Sequence, residues 1–474
     1  MLRALLLSLA LLLALGPLAS AQEAPPDAAP PQAEPEAPAR RVEEKGPNLQ
    51  PPPWFSPAQR EAVEAATRVW EDAFEAYKKE GAAAARPKVD QAIAALIEAR
   101  KVDARCGIPD HYLGIAYQLT GEFDKAIERL REAVRKNSSF HEAMVELGDA
   151  YRWASKLDDA MRSYDQAIAT KPDYALAYKM RALLRVQKDQ LAQARQDAAR
   201  AKELDPSDPE VAAIEMRLAL VLEGPPWENK FTCETRHHIV WTNVDQAMAD
   251  EIGRHAELIR KLYEKIFPRP PRAKRKFPIV VFATREEYHR NGGPQGAGGH
   301  FDPAFKQLFL FRYEKLSDTL LVLYHEGFHQ FLDSILDVHA PQWFNEGLAD
   351  FFGPSEYYKE RNDEGMRIKT NPWRLRTVQT LIRQDRATDF EKLMTMTQQE
   401  MYEPRAAGNH YAQAWSMVYF LAQADDGAYF PYLRDYFQAL RRGKNIREAY
   451  QAAFGKADMA AMQARWREYV LQLR

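Results

Sequence analysis

The stretch YHEGFHQFLD, residues 324–333, holds the pattern His-Glu-x-x-His. On a helix, His325 and His329 lie on one face, one turn apart, so two imidazoles can reach one metal ion. Glu326 follows the first histidine and points beside that ion, where it can take a proton from a bound water. Zn2+ suits such a set: with two histidines it needs a third protein ligand, and catalysis needs a further position left open for water. WFNEGLADFF, residues 343–352, offers that ligand. Glu346 comes seventeen residues after His329, room for a helix end, a turn and a second helix. Asp350, four residues on, shares the helical face of Glu346 and can accept the free ring N–H of one zinc histidine. Asn345 can serve the other.

The two blocks together resemble the gluzincins, the zinc peptidase group that includes thermolysin and the zinc aminopeptidases. The resemblance implies that His325, His329 and Glu346 are zinc ligands and Glu326 the general base. A third block, NHYAQAWSMVYFL at residues 409–421, contains Tyr411, 65 residues after Glu346. In the aminopeptidase branch a tyrosine at a similar remove stabilises the oxyanion, and the resemblance gives Tyr411 that role. The bland alternative is a tyrosine packing a helix start; His410 is the other candidate donor. Residues of about 230–474 look like the peptidase-MA-like domains of secreted bacterial proteins, many of which carry tetratricopeptide repeats and most of which have undefined substrates. There is one departure. Zinc aminopeptidases hold the substrate amine with a Gly-x-Met-Glu-Asn strand, and GGHFDP at residues 298–303 has no Glu. Asp302 is the remaining candidate for an amine, and the glycine-rich loop with KQLFLF (306–311) is expected to offer a sheet edge to an extended peptide.

The elements that must position these residues follow from patterning. SDTLLVL gives the zinc helix a Ser/Asp start. Upstream, FTCETRHHIVWTN alternates and predicts a strand pair, with His237 and His238 on opposite faces and so not on one ion. A helix over 245–267, a buried strand FPIVVFA and a strand at 306–311 follow, and the remainder is expected to be mostly helical. The loop NGGPQGAGGHFDP lacks a Lys-Ser/Thr and a following helix, which argues against a phosphate loop. The basic run RPPRAKRK reads as a solvated loop.

Ahead of this domain, residues 54–223 repeat with a period of 34. Leu113-Gly114 returns as Leu147-Gly148, and Tyr117 as Tyr151. Ala126, Ala160 and Ala194 are one period apart, as are Ala133, Ala167 and Ala201. This resembles the tetratricopeptide repeat, in which small residues sit where paired helices cross. Residues 107–208 hold three clear repeats, 73–106 a degenerate one, and 209–223 a capping helix. His339 is expected in a loop.

The chain has 474 residues, 46 % hydrophobic and 28 % charged, with net charge −2. No global field points to nucleic acid or an anionic membrane. Residues 1–21 combine a positive start, an apolar core and a small-residue cleavage site, and predict a secretory signal peptide with no stable membrane span after cleavage. Residues 22–53, rich in Pro and Ala, read as an extended tether. Two cysteines, Cys106 and Cys233, exclude a disulfide framework and a cysteine metal site.

The expected architecture is an α-helical tetratricopeptide solenoid followed, over 229–474, by an α+β gluzincin-type (thermolysin- or aminopeptidase-like) domain with a mostly helical C-terminal lobe. The expected function is an exported, periplasmic or extracellular zinc metallopeptidase acting on a peptide or protein, with a protein partner docked on the repeats. A scaffold with a vestigial zinc domain is the alternative.

Overall fold

The computed structural model describes residues 55–474 other than 268–274, 337–339, 362 and 404. The signal peptide, the tether, most of RPPRAKRK and His339 lie outside the described residues. The described chain forms two compact units, divided between Leu222 and Glu223. Among the described residues no helix is long and apolar enough to cross a membrane.

The first unit is a row of helical hairpins. It begins with a long pair, α1 (Pro57–Glu80) and α2 (Ala82–Ala99), which turn at Gly81. The degenerate repeat expected over 73–106 is therefore shifted: α1 starts well before it, because EGAAAAR is the turn and start of a second helix. Three shorter pairs follow: α3 (Ile108–Leu119) with α4 (Phe123–Lys136), α5 (His141–Trp153) with α6 (Leu157–Thr170), and α7 (Ala175–Gln187) with α8 (Leu191–Leu204). α9 (Pro209–Glu223) closes the row. The six period-34 alanines are all fully buried. They let helices approach closely, and the glycines of the first helices do the same: a Cβ on Gly114 would strike Leu130, and one on Gly148 would strike Tyr164. The turn inside each hairpin repeats as well. Gly121, Ser155 and Asp189 stand one period apart with φ of 77°, 58° and 57°. Behind each, the next N–H bonds back to the carbonyl of Tyr117, Tyr151 or Arg185 at 2.8 Å. This left-handed helix stop is a Schellman closure.

The second unit opens on a five-stranded sheet. Its strands are β1 (Phe231–Glu234), β2 (His238–Thr242), β3 (Phe277–Phe282), β4 (Gly299–Asp302) and β5 (Gln307–Phe311), in the spatial order β1-β2-β3-β5-β4. β2, β3 and β5 are parallel; β1 and β4 run antiparallel on the two edges. α10 (Gln246–Ile266) makes the β2–β3 crossover that a parallel pair requires. A short helix, α11 (Arg285–Arg290), follows β3.

Two expectations are corrected here. KQLFLF does not offer a sheet edge: β5 lies between β3 and β4, and the edge is β4. His237 and His238 do not diverge, because β2 starts only at His238; both rings reach Glu257, at 2.7 and 3.3 Å.

From α12 (Leu316–Asp333) and α13 (Gln342–Phe352) the chain is helical apart from one hairpin, β6 (Glu356–Glu360) with β7 (Asp363–Arg367). Then come α14 (Pro372–Arg383), α15 (Phe390–Thr395), α16 (Gln398–Met401), α17 (Ala407–Gln423), α18 (Phe430–Arg441), α19 (Ile446–Phe454) and α20 (Met459–Gln472). α17 is the hub of this lobe, packed on α13, α14, α18 and α20. An aromatic cluster of Tyr263, Phe267, Phe328, Phe331 and Phe352 ties α10 to α12 and α13. The Tyr263 hydroxyl also donates to the carbonyl of Tyr324, one residue before the first zinc-motif histidine.

Candidate metal centre

α12 carries His325, Glu326 and His329, and each is at most 2 % exposed. The helix packs against α10, α13, β4 and β5, so polar groups here must find partners inside the protein. α13 is more extreme: every residue from Trp343 to Phe352 is buried. Its Asn345, Glu346 and Asp350 are thus polar side chains in a buried stretch whose other residues, from Trp343 to Phe352, carry no polar side-chain atom apart from the Trp343 indole N–H.

These two helices bring the predicted ligands together. Nε2 of His325 lies 3.5 Å from Oε2 of Glu346, and Nε2 of His329 lies 3.7 Å from the same oxygen. The two imidazole rings are 4.9 Å apart and nearly perpendicular. None of these three atoms has a hydrogen-bond partner. Three acceptor atoms, wholly buried and aimed at one another, are costly unless a cation sits between them. Ligands at about 2.0–2.1 Å from a tetrahedral zinc stand about 3.3–3.4 Å apart, close to the spacing seen. The residues fit zinc. Among the described residues this group has three members, His325, His329 and Glu346, which leaves a fourth position for a non-protein ligand.

The outer atoms are also held. Nδ1 of His329 donates to Oδ1 of Asn345 at 2.9 Å. Nδ1 of His325 faces Oδ1 of Asp350 at 3.2 Å, a charge contact whose alignment falls short of a full hydrogen bond. Both histidines therefore present Nε2 inward. Their electrostatics differ. Burial pushes His325 down, but Asp350 and then Glu346 outweigh it and hold it up at about 10. Burial pushes His329 down and prevails, because its outer partner is a neutral amide.

Two residues at the site were not legible as parts of it. Arg374, in the first turn of α14, donates from Nε to Oδ2 of Asp350 at 2.7 Å. Burial pushes the Asp350 carboxyl up, but Arg374 and His325 outweigh it and keep it below its ordinary value. Asn371 caps α14 by accepting from the Arg374 backbone N–H, which fixes where that side chain starts. Tyr402, just after α16, places its hydroxyl 3.0 Å from Oε1 of Glu346 and 3.1 Å from Oε1 of Gln342. NPWR announces a helix start and EMYEP nothing at all; neither signals a partner tens of residues away.

Tyr411 is fully buried in α17. Its ring meets Tyr402 edge-on at 5.9 Å, and the Arg374 guanidinium lies 5.2 Å from its ring centre. His410 turns away: its Nδ1 bonds the carbonyl of Met401. Oδ1 of Asp302 accepts the backbone N–H groups of Ala304 and Phe305, a turn role. Cys106 and Cys233 are both free thiols.

Residues 320–439 match a family described as "Protein of unknown function (DUF1570)", a stretch that takes in every residue of the centre. No curated protein matches. Among solved structures, the first tetratricopeptide domain of Spaghetti (RPAP3) bound to an HSP90 peptide is 22 % identical over 25 % of this chain and 95 % of its own, with a TM-score of 0.25. PilF of Pseudomonas aeruginosa is 20 % identical over 34 % of this chain and 69 % of its own, with a TM-score of 0.30. The Yersinia enterocolitica type III secretion chaperone SycD with a YopD peptide is 19 % identical over 23 % and 90 %, with a TM-score of 0.22.

Proposed function

We propose that this protein is an exported zinc-dependent peptidase whose helical repeats dock a protein or peptide. The observation that carries the zinc reading is the convergence of three buried, unbonded acceptor atoms from His325, His329 and Glu346. The peptidase reading adds the resemblance of the two helical blocks to gluzincins.

Zinc bound there would lower the pKa of a bound water towards about 7 and polarise the carbonyl under attack. His325 and His329 serve as neutral donors through Nε2, oriented by Asp350 and Asn345. Glu326 accepts the proton of the attacking water and returns it to the leaving amine nitrogen. Tyr411 donates its hydroxyl proton as a hydrogen bond to the developing oxyanion. That hydroxyl is enclosed in the structure, so this role requires the neighbouring side chains to shift when substrate enters.

The test is Glu326→Gln in the full chain, assayed with a mixed peptide library. Turnover should fall by about 10²–10⁴-fold while zinc content and melting temperature stay at wild-type values. A wild-type protein that holds zinc but cleaves nothing in any peptide or protein mixture would overturn the peptidase reading and favour a scaffold.

A further inference from the structure

Glu346 divides its two carboxylate oxygens between different neighbours. Oε2 faces Nε2 of both His325 and His329. Oε1 faces the hydroxyl of Tyr402 at 3.0 Å. Gln342 lies one helical turn before Glu346, and its side-chain oxygen position is 3.1 Å from the same hydroxyl. A phenol has one proton to give. The ionised carboxylate is the stronger acceptor, so the proton goes to Oε1, and the Gln342 amide turns its NH2 to the phenol oxygen.

A carboxylate with both oxygens unengaged can bind a metal through one or both. Binding through both would occupy the position that a catalytic zinc site leaves for water. Gln342, half-buried, and Glu346, fully buried, stand one turn apart on α13, but Tyr402 comes from a separate segment after α16 and meets them from outside the helix. It bonds Oε1, while Oε2 is the oxygen paired with the two histidine Nε2 atoms.

We infer that Tyr402 is a positioning residue of the metal centre: its hydroxyl, braced by Gln342, holds Glu346 to a single ligating oxygen and keeps the fourth coordination position open. This rests on the zinc reading above, and it concerns the shape of the site rather than its existence.

The experiment compares the full-length wild type with Tyr402→Phe and with the double variant Tyr402→Phe/Gln342→Leu, which removes any replacement donor. Each is loaded with Co2+ for visible absorption and with Zn2+ for X-ray absorption and chelator competition. The wild type is expected to bind one ion per chain with about four ligands. The double variant keeps one ion per chain, gains an oxygen ligand, shows visible Co2+ absorption several-fold weaker, and changes metal affinity by about 10–100-fold. A wild type that binds metal and a double variant with the same spectrum, ligand count and affinity would overturn the role of Tyr402 while leaving the zinc reading intact. A wild type that binds no metal would overturn both.

Discussion

A Cβ built on Gly347 would lie 2.7 Å from the carbonyl oxygen of Ala414. Gly347 directly follows the candidate ligand Glu346 on α13, and Ala414 is in the middle of α17. The two helix backbones touch at this point, and only a residue without a side chain allows it. The glycine of Asn-Glu-Gly thus sets how deep the ligand helix sits.

Gly347→Ala therefore acts on the metal through packing. The obstacle is a backbone carbonyl, so α13 itself must shift. Overpacking of this kind costs about 1–3 kcal/mol. Chemical denaturation should show that loss, and chelator competition should show weaker zinc binding. Unchanged zinc affinity would mean that α13 moves without disturbing Glu346.

Asp350 and Arg374 form a buried ion pair behind His325. Asp350→Asn should weaken zinc binding by about 10–100-fold. Arg374→Leu should be the worse folding defect, by about 3–5 kcal/mol, because it strands a buried carboxylate. Arg374→Leu/Asp350→Leu should regain part of that stability. If the double variant is less stable than Arg374→Leu alone, the stranded charge is not the cause.

These two sets of residues show how far the sequence reached. The convergence of His325, His329 and Glu346 was legible because each falls in a short motif with helical spacing, His-Glu-x-x-His on one helix and Asn-Glu-x-x-x-Asp on the next, and the hairpins because their alanines and glycines recur at 34. Tyr402 and Arg374 were not legible. Each meets its partner only through the fold of the C-terminal lobe, 56 and 24 residues from Glu346 and Asp350. The edge position of β4 was hidden for the same reason, since strand order is a long-range property that a strongly apolar stretch such as QLFLF does not encode.

His255 makes the second unit sensitive to acid. Arg254 donates to its Nε2 at 2.9 Å, so the ring proton stays on Nδ1, facing the Tyr324 hydroxyl. Burial, and then Arg254, push its pKa down from 6.5 to about 4. The unfolded chain then binds the proton more readily, so this contribution to stability is complete above pH 6.5 and is lost as pH falls towards 4. A tenfold change in proton affinity is worth about 1.4 kcal/mol, which puts the total at up to about 3 kcal/mol. Melting temperature should fall across this window in the wild type and less steeply in His255→Gln. Parallel profiles would remove His255 as the cause.

In the repeats, Gly148 and Ser155 predict opposite outcomes. Gly148→Ala drives a methyl group into Tyr164, which is fully buried and bonded to Asp149 at 2.6 Å. It should cost about 1–3 kcal/mol. Ser155 holds a left-handed φ of 58° at the position where the preceding repeat has Gly121. Ser155→Gly should be neutral or stabilising by up to about 1 kcal/mol. Denaturation of the two variants checks both; a clear loss with Ser155→Gly would contradict the shared turn geometry.

The central claim is that His325, His329 and Glu346 hold zinc. Metal content of the purified protein, wild type beside His329→Ala, tests it most directly. About one zinc per chain in the wild type and none in a folded His329→Ala is the predicted result. No zinc in either protein, even after zinc is supplied at neutral pH, would contradict it and leave the helical repeats as the working part of the molecule.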